Sequence, residues 1–321
     1  PTGLRPESSS DWQCLKKWTT SDLYIVPPPA CKPDLYKLFS QVKRVVWLRV
    51  HYPKNFQFAD LKLVCTLPHL HGLQINEKKA HPKMYKGLTG CTRLENLVFN
   101  TEHKAAVAID WMKTLTRLAI LEISSLPLDD AGLRVLARLP ALKELEVTLD
   151  QDGVKALGQV QGFAKLENLT LNAKENHLTN APRGVTFPVL ESLRCSKLPL
   201  PILATWKAPK LTGVTTSGNP KSKVFQGAPK GGLPCQRWTS LSLNHRNLKD
   251  ADLTFLARCK NLTSLRLDDN QITGPGLKVL ARMPQLRTLD LDKNKKLNHM
   301  ALPHFAQLRQ LHHLYLPHTG F

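Results

Sequence analysis

The sequence lacks the signatures of several large classes of protein. It contains no run of about 18 uninterrupted apolar residues, which excludes a helix long enough to cross a membrane. The patterns GxxxxGK followed by Ser or Thr, GxGxxG, HExxH and GxSxG are all missing. None of the seven cysteines stands in a CxxC pair, so no zinc framework is indicated. We therefore expect a chain that is not an enzyme and that holds no cofactor and no metal.

The N-terminus lacks the usual targeting signal. The chain begins at Pro1 rather than Met, and no basic-then-apolar stretch follows. This pattern predicts a processed or trimmed product. Both an exported and an intracellular location are compatible with it.

Acidic residues are scarce relative to basic ones. Asp and Glu number 25 against 45 Lys and Arg, which gives a formal net charge of +20. A charge of this size admits nucleic acid, anionic surfaces or acidic proteins as partners. The alternative is a solvated surface that keeps the chain in solution. The candidate residues for binding a polyanion lie in one short stretch, at Lys78, Lys79, Lys83 and Lys86.

What the sequence does contain is a repeat. The apolar pattern LxxLxL, or a close variant of it, occurs twelve times. Most successive copies begin 24 residues apart, and the two deviant spacings, 21 and 27 residues, add up to twice 24. A fixed period of this length predicts stacked units, because one strand and its turn cannot bury their own apolar face. The copies open at Val45, Leu70, Leu94, Leu118, Leu142, Leu166, Leu190, Leu211, Trp238, Leu262, Leu286 and Leu311.

A second apolar pattern, with the i, i+3 spacing of a short helix, lies between some of the copies. It is clearest at Leu133 and Leu136, Leu253 and Leu256, and Leu277 and Leu280. We predict a short helix at each pair. The expected N-caps of these helices are Asp130, Asp250 and Gly274.

These repeats resemble the leucine-rich repeat proteins, and the 24-residue spacing with GLxxLAR helices is most similar to the bacterial and ribonuclease-inhibitor-like types. The resemblance implies an α/β fold, a leucine-rich-repeat solenoid or horseshoe of about twelve repeats. It places a parallel sheet on the concave side, and short helices with irregular loops on the convex side. We expect residues 1–44 to form an N-terminal capping region and residues 45–321 to form the solenoid.

The sequence departs from the family pattern at the ninth position of the repeat, where Asn or Cys usually bonds to the turn backbone. Asn stands there in three repeats, but others have Pro53, Lys78, Glu102 or Leu198, so we expect irregular turns in the N-terminal half. Residues 175–237 are rich in proline and show no helical period, which predicts irregular convex loops within the solenoid. The three asparagines are Asn219, Asn270 and Asn294.

The alternation of side chains along a strand predicts which residues are exposed. The leucines of LxxLxL point inward, so the third, fifth and seventh positions line the concave sheet. Aromatic and Arg residues there are the expected anchors for a protein partner, because they bury most contact area. The candidate partner-binding residues are Trp47, Arg49, Glu122, Glu144, Glu146, Arg266, Asp290, Asp292, His313 and Tyr315.

The cysteines fall into two groups. Cys91, Cys235 and Cys259 each stand three residues before an LxxLxL copy, and Cys195 occupies an inward position. A shared repeat position is typical of packing, so we expect buried free thiols. Cys14 and Cys31 lie outside the repeats, and extracellular leucine-rich repeat proteins often staple their caps. The resemblance thus implies a disulfide between Cys14 and Cys31 as one alternative.

Three functional hypotheses follow. The first is a non-catalytic protein-recognition scaffold that binds a partner on the concave face. The second is a basic-surface binder of nucleic acid or another polyanion. The third is a structural subunit of a larger assembly, or a fragment of a longer protein, because no polar capping helix follows the last copy. In that case a neighbour is expected to cover the C-terminal repeat edge.

Overall fold

The computed structural model describes residues 23–25, 42, 44–51, 58–77, 82–101, 109–160, 162–173, 181–217 and 232–320. The chain divides into two compact units, Pro1–Leu166 and Glu167–Phe321. In each unit, parallel strands follow one another in chain order and are joined by turns and short helices. Within the described ranges, no helix has the length and apolar character needed to span a membrane.

The described part of the first unit contains six strands, in which each strand pairs with the next one along the chain. The strands are β1 (Leu23–Ile25), β2 (Val45–His51), β3 (Gly72–Glu77), β4 (Asn96–Thr101), β5 (Ile120–Leu128) and β6 (Glu144–Leu149). Its helices are α1 (Phe58–Cys65), α2 (Asp130–Ala137) and α3 (Gln151–Ala156), with 3-10 helices at Pro82–Gly90 and Asp110–Thr114.

Among its described residues, the second unit contains seven strands paired in the same way. The strands are β7 (Asn168–Ala173), β8 (Ser192–Ser196), β9 (Gly213–Ser217), β10 (Ser240–Asn244), β11 (Ser264–Arg266), β12 (Thr288–Asp290) and β13 (His313–Tyr315). The α-helices are α4 (Leu200–Leu203), α5 (Leu277–Leu280) and α6 (Leu302–Phe305). The 3-10 helices are Cys235–Arg237, Asp250–Arg258, Gly274–Gly276 and His299–Ala301.

The predicted repeat is confirmed. Each of the twelve LxxLxL copies contains one strand, β2 to β13. The strand β1 was not predicted, because Leu23–Ile25 carries no copy of the pattern, yet it pairs in parallel with β2. The predicted short helices are also present, although each begins at the residue expected as its cap, so that the caps are Asp129, Lys249 and Thr273. Asp129, not Asp130, caps α2 by accepting a hydrogen bond from the Gly132 N–H.

The core of each unit is a stack of inward apolar side chains. In the first unit, Leu48, Leu73, Leu97, Leu121 and Leu145 occupy one register position on β2 to β6, and all are buried. Burying one leucine stabilises a fold by about 1.5–3 kcal/mol, so this row alone is a large part of the core energy.

The equivalent row of the second unit is buried except at its last strand. Leu241, Leu265 and Leu289 lie inside, whereas Leu314 on β13 is 37% exposed. The exposed position belongs to the last strand that the structure describes in this unit.

Several turns of the second unit contain a residue in the left-handed backbone conformation. This residue stands four positions after the apolar residue at the centre of the preceding strand. A positive φ is uncommon for residues other than glycine, and here it recurs at this position after five of the strands. The values lie between 51° and 59°, at Lys197, His245, Asp269, Lys293 and His318. The repeated conformation turns the chain sharply out of the sheet at the same place in each of these coils.

Two of the predicted ninth-position asparagines, Asn270 and Asn294, are buried directly after this turn. Asn270 Oδ1 accepts hydrogen bonds from the backbone N–H groups of Arg246 and Leu248, at 3.2 and 3.0 Å. Its Nδ2 donates to backbone carbonyls of both its own and the preceding coil. Each asparagine therefore joins two coils through backbone groups that would otherwise be buried without partners. Asn219 lies outside the described residues.

A buried arginine takes the same position one repeat earlier. Arg246 donates through Nη2 to the Leu198 carbonyl at 2.8 Å and to the Thr216 hydroxyl. Burial lowers the pKa of Arg246 to about 10. The long Arg246 side chain thus hydrogen-bonds to the backbone of a turn that has Leu198 instead of Asn at the ninth position.

The prediction of free thiols is wrong for three cysteines and correct for one. Cys91 is bonded to Cys65, and Cys235 is bonded to Cys259. Stacked coils place these pairs 4.5 and 5.0 Å apart between Cα atoms, within the range that a disulfide spans. Cys195 is free and buried, and burial raises the pKa of its thiol to about 11, so the thiol stays protonated at neutral pH. Cys14 and Cys31 lie outside the described residues.

Candidate functional site

The outward side chains of β2 to β6 form the surface that we call the first-unit face. The strand register sets Trp47, Gly72, Asn96, Ile120 and Glu144 in one row across it. A second row contains Arg49, Gln74, Val98, Glu122 and Glu146. The register therefore brings together all five predicted site residues of this unit. Arg49 and Glu122 are three strands apart, roughly 14 Å at the usual strand spacing.

Trp47 lies flat over Gly72 on the neighbouring strand. A Cβ atom added at Gly72 would be 1.8 Å from the Trp47 Cε3 atom, so only glycine leaves room for the indole. Beside them is a groove of about 410 Å³. Its lining residues are Tyr24, Val46, Trp47, His69, His71, Gly72, Glu95, Asn96, Ala119 and Ile120. The groove offers aromatic surface next to polar groups, which is typical of the centre of an interface.

Replacing Gly72 by Ala is expected to expel the Trp47 indole from this position while leaving the fold intact. The new methyl group clashes only with a half-exposed side chain that can rotate away, so stability should change by less than about 1 kcal/mol. Near-ultraviolet circular dichroism should show a change for Gly72→Ala that disappears when Trp47 is also replaced by Phe. An unchanged spectrum would contradict the stacked arrangement.

A polar network joins Arg49 and Gln74 of the second row to Asn76 and Asn100, which are paired two residues further along their strands. Arg49 Nε donates to Gln74 Oε1 at 2.9 Å, and Gln74 Nε2 donates to Asn76 Oδ1 at 3.1 Å. Asn100 Nδ2 donates to the same Asn76 oxygen at 2.8 Å. These bonds hold four side chains on three strands in one arrangement. A pre-ordered surface of this kind loses less side-chain entropy on binding a partner.

Carboxylates dominate the other end of the first-unit face. Glu122 on β5 stands opposite Glu146 on β6, and Glu144 lies exposed at the start of the same strand. Partial burial raises the pKa of Glu122, and the negative charge of Glu146 raises it further. A like-charge pair on adjacent strands favours a cationic group from another molecule.

Glu122→Gln is expected to stabilise the chain at neutral pH by about 0.2–1 kcal/mol, since it removes a like-charge cross-strand pair. Because the pKa of Glu122 is raised in the folded state, the folded chain holds the proton of this carboxyl group more tightly than the unfolded chain does. The free energy of unfolding therefore falls as the pH rises through the titration range of Glu122. The gain from Glu122→Gln should therefore vanish below about pH 4, where the glutamate is protonated in both states. Urea unfolding of the wild-type chain and of Glu122→Gln at pH 7 and at pH 3.5 measures the gain in stability at each pH. An equal gain at the two pH values would contradict the charge-pair explanation.

The second-unit face consists of the outward side chains of β11 to β13. Arg266, Asp290 and Tyr315 lie in one row, and His313 stands opposite Thr288. Tyr315 is 51% exposed. The register thus places four of the five predicted residues of this unit on adjoining strands.

Asp292 is placed differently, just after β12. Its Oδ1 atom lies 3.0 Å from His318 Nδ1, and its Oδ2 atom lies 3.6 Å from Lys293 Nζ. Burial acts to raise the pKa of Asp292, but the His318 bond and the Lys293 charge outweigh it, and the net effect is a lower pKa. Asp292 is therefore already engaged within its own turn.

A neighbouring acidic group was not predicted. His245 Nδ1 lies 2.7 Å from Asp269 Oδ2, and His245 Nε2 lies 3.6 Å from Asp268 Oδ2. Burial raises the pKa of Asp268, as does the charge of Asp290, while His245 opposes the change. In the described part of the chain, no group of three or more His, Cys, Asp or Glu residues could hold a metal ion.

The predicted polyanion-binding lysines are only partly described. Lys86 is exposed on the 3-10 helix Pro82–Gly90. Lys78 and Lys79 lie outside the described residues, and so does the side chain of Lys83.

Sequence reasoning missed several groove residues of the first unit. Tyr24 belongs to β1, which carries no repeat pattern. His71 and Glu95 follow directly after the opening leucine of a copy, a position that alternation does not assign to the exposed face. Their only sequence signal is that polar residues recur there, as at Lys143 and Glu167.

The chain is similar to several known repeat structures. A model described as leucine rich repeat matches residues 237–295 and 260–321. A leucine-rich repeat protein of Leptospira interrogans is 15% identical, with a TM-score of 0.57, over 99% of this chain and 83% of that one. No curated protein gives a significant sequence match.

Two receptor structures share the fold over part of their own length. The Drosophila Toll structure in complex with Spatzle is 14% identical, with a TM-score of 0.52, over 98% of this chain and 49% of that one. TLR13 in complex with ssRNA13 is 16% identical, with a TM-score of 0.56, over 92% of this chain and 46% of that one. The chain therefore spans about half the length of each receptor chain.

The strand order, the register and these matches define a repeat solenoid built from parallel strands. More narrowly, the fold is that of the leucine-rich repeat proteins, and the family model matches the C-terminal part of the chain. The fold is typical of protein–protein recognition.

Proposed function

We propose that the chain is a non-catalytic recognition scaffold that binds a protein partner through the first-unit face, with the second-unit face contributing further contacts. The observation that carries this proposal is Trp47 held over Gly72 beside an open groove, on the same sheet as the carboxylates of β5 and β6. Large aromatic side chains at fixed positions are the residues that most often dominate binding energy.

The chemistry of the first-unit face suggests the partner's own surface. An apolar or aromatic side chain would fill the groove next to Trp47. A Lys or Arg would meet the Glu122 and Glu146 pair and relieve its repulsion. The proposed partner thus presents a basic group close to an apolar one, since the groove reaches Ile120 and Glu122 lies two residues further along the same strand. The Toll structure in complex with Spatzle offers a precedent for a protein ligand on this fold.

Affinity capture from the native source tests the proposal. The wild-type chain is compared with Trp47→Ala and with Glu122→Gln, which change the face without touching the buried rows. Lys113→Ala, an exposed substitution on the 3-10 helix Asp110–Thr114, is the matched control. We expect a specific partner that is retained by the control and reduced at least tenfold by Trp47→Ala. Undiminished capture by both face variants would rule out the proposed site.

The alternative function is polyanion binding, which the formal charge of +20 and the exposed Lys86 favour. TLR13 in complex with ssRNA13 offers a precedent for a nucleic acid on the fold. Affinity would then fall steeply with salt, since Lys–phosphate contacts release counterions. Titration with single-stranded RNA at 50 and 200 mM salt separates the two functions. A salt-independent result, or no binding, would reject this alternative.

A further inference from the structure

A second cavity, separate from the sheet faces, lies within the second unit. It has a volume of about 670 Å³ and is formed where the repeat spacing departs from 24 residues, between Leu190, Leu211 and Trp238. Cavities of roughly 300–1,000 Å³ are typical of small-molecule sites. The described lining residues are Thr186, Pro188, Leu190, Leu193, Leu203, Trp206, Lys207, Ala208, Pro209, Leu211, Pro234, Gln236, Arg237 and Trp238.

The wall of the cavity is apolar and held in place by its own contacts. Trp206 Nε1 donates to the Pro182 carbonyl at 3.0 Å, so the polar atom of this indole is satisfied on the protein side. The Trp206 ring also packs against Phe187, with 5.9 Å between the ring centroids. Trp238 is buried on the wall as well. An apolar ligand would therefore meet the accessible part of the fixed Trp206 ring, while the almost fully buried Trp238 supports the wall.

The charged residues of the described lining are both cations. Lys207 and Arg237 are exposed, and no carboxylate is among the described lining residues. The backbone of Lys207 is fixed by two hydrogen bonds, from its N–H to the Val185 carbonyl at 2.7 Å and from the Phe187 N–H to its carbonyl at 2.8 Å. The mouth of the cavity thus favours an anion, while its wall favours a hydrocarbon.

We propose that this cavity binds a free single-chain amphiphile, a long-chain carboxylate. Its hydrocarbon tail lies against the exposed Pro188, Pro209 and Pro234 and the accessible part of Trp206, and its carboxylate meets Lys207 and Arg237. The tail contributes by burial of apolar area and the head group by charge-assisted hydrogen bonds. This site is independent of the proposed partner surface, because none of its residues belongs to either sheet face.

Quenching of tryptophan fluorescence by a brominated fatty acid tests the proposal, because bromine quenches only indoles that it contacts. We expect saturable quenching of the wild-type chain, reduced when Trp206 is replaced by Phe. Lys207→Gln combined with Arg237→Gln changes only exposed residues and should weaken binding at least tenfold. Lys210→Gln is the matched control, since Lys210 is exposed nearby but does not line the cavity.

Two further arms distinguish the ligand class. The methyl ester of the same brominated acid lacks the charge and should bind at least tenfold more weakly. Vesicles containing brominated anionic phospholipid should not quench, because the proposed ligand is a free chain and not a membrane. Equal binding of the ester, quenching by vesicles alone, undiminished binding by Lys207→Gln with Arg237→Gln, or no saturable quenching would each overturn the proposal.

Discussion

Removing both disulfides is expected to destabilise the chain more than any other covalent change, by about 3.5 kcal/mol for each bridge. The bridges Cys65–Cys91 and Cys235–Cys259 close segments with sequence separations of 26 and 24 residues. Without them the unfolded chain gains the freedom that the bonds had removed. Each bridge also links adjacent coils, so its loss should loosen the stacking in its own unit. Such bonds persist in oxidising compartments.

Urea unfolding with and without dithiothreitol measures this effect. The paired substitutions Cys235→Ala and Cys259→Ala should reproduce the loss assigned to the second unit and should leave only the Cys65–Cys91 bridge sensitive to reduction. Cys195→Ala is the control, because this thiol is free and its removal should not change the response to the reductant. An unfolding curve that reduction does not shift would contradict the two bridges.

Asn270→Ala is expected to destabilise the chain by about 3–4 kcal/mol, close to the upper end for a point mutation. The amide bonds to backbone groups of Arg246, Leu248, Leu243 and Leu267, all in the buried turn region. Alanine leaves these donors and acceptors without partners and without access to water. The loss should appear as a lower urea midpoint.

The matched control for this substitution is Asn261→Ala. Asn261 is exposed, and its Nδ2 donates only to the Gln236 carbonyl among the described contacts. Its loss should cost less than about 1 kcal/mol, because water can replace the bond. Similar losses for Asn261→Ala and Asn270→Ala would show that the buried asparagine does not hold the coils together.

The strands of the repeats could be predicted because a 24-residue period fixes the position of every buried leucine. Twelve strands follow from it, with the exposed face between the leucines. The strand β1 could not be predicted, since three residues without the pattern are recognisable only when β2 lies beside them. Arg246 could not be assigned either, because its role depends on carbonyl and hydroxyl groups of coils up to 48 residues away.

The cysteines show where periodicity alone misleads. A common repeat position for Cys91, Cys235 and Cys259 predicts packing, but the same stacking places two sulfur atoms of adjacent coils together. Cys65 lay outside the common position, and so its pairing with Cys91 had no periodic signal. Whether two cysteines form a disulfide depends on the distance between them in adjacent coils, and not on their spacing in the sequence.

The candidate site was predictable to the extent that it follows alternation along strands. Trp47, Arg49 and Glu122 were assigned to the exposed face by their repeat positions, and the register places them together. The stacking of Trp47 on Gly72 required the neighbouring strand to be known. Asp292 had the correct repeat position, but its turn directs it to His318 and Lys293.

Site-specific photo-crosslinking is the most direct test of partner recognition through the first-unit face, because it reports which surface the partner contacts. A photoreactive phenylalanine is placed at Gln74 on the first-unit face and, in a separate variant, at Lys113 on the helical side. We expect the captured partner to crosslink to the chain from position 74 and not from position 113. Crosslinks from position 113 alone would show that the partner binds elsewhere and would contradict recognition through the sheet.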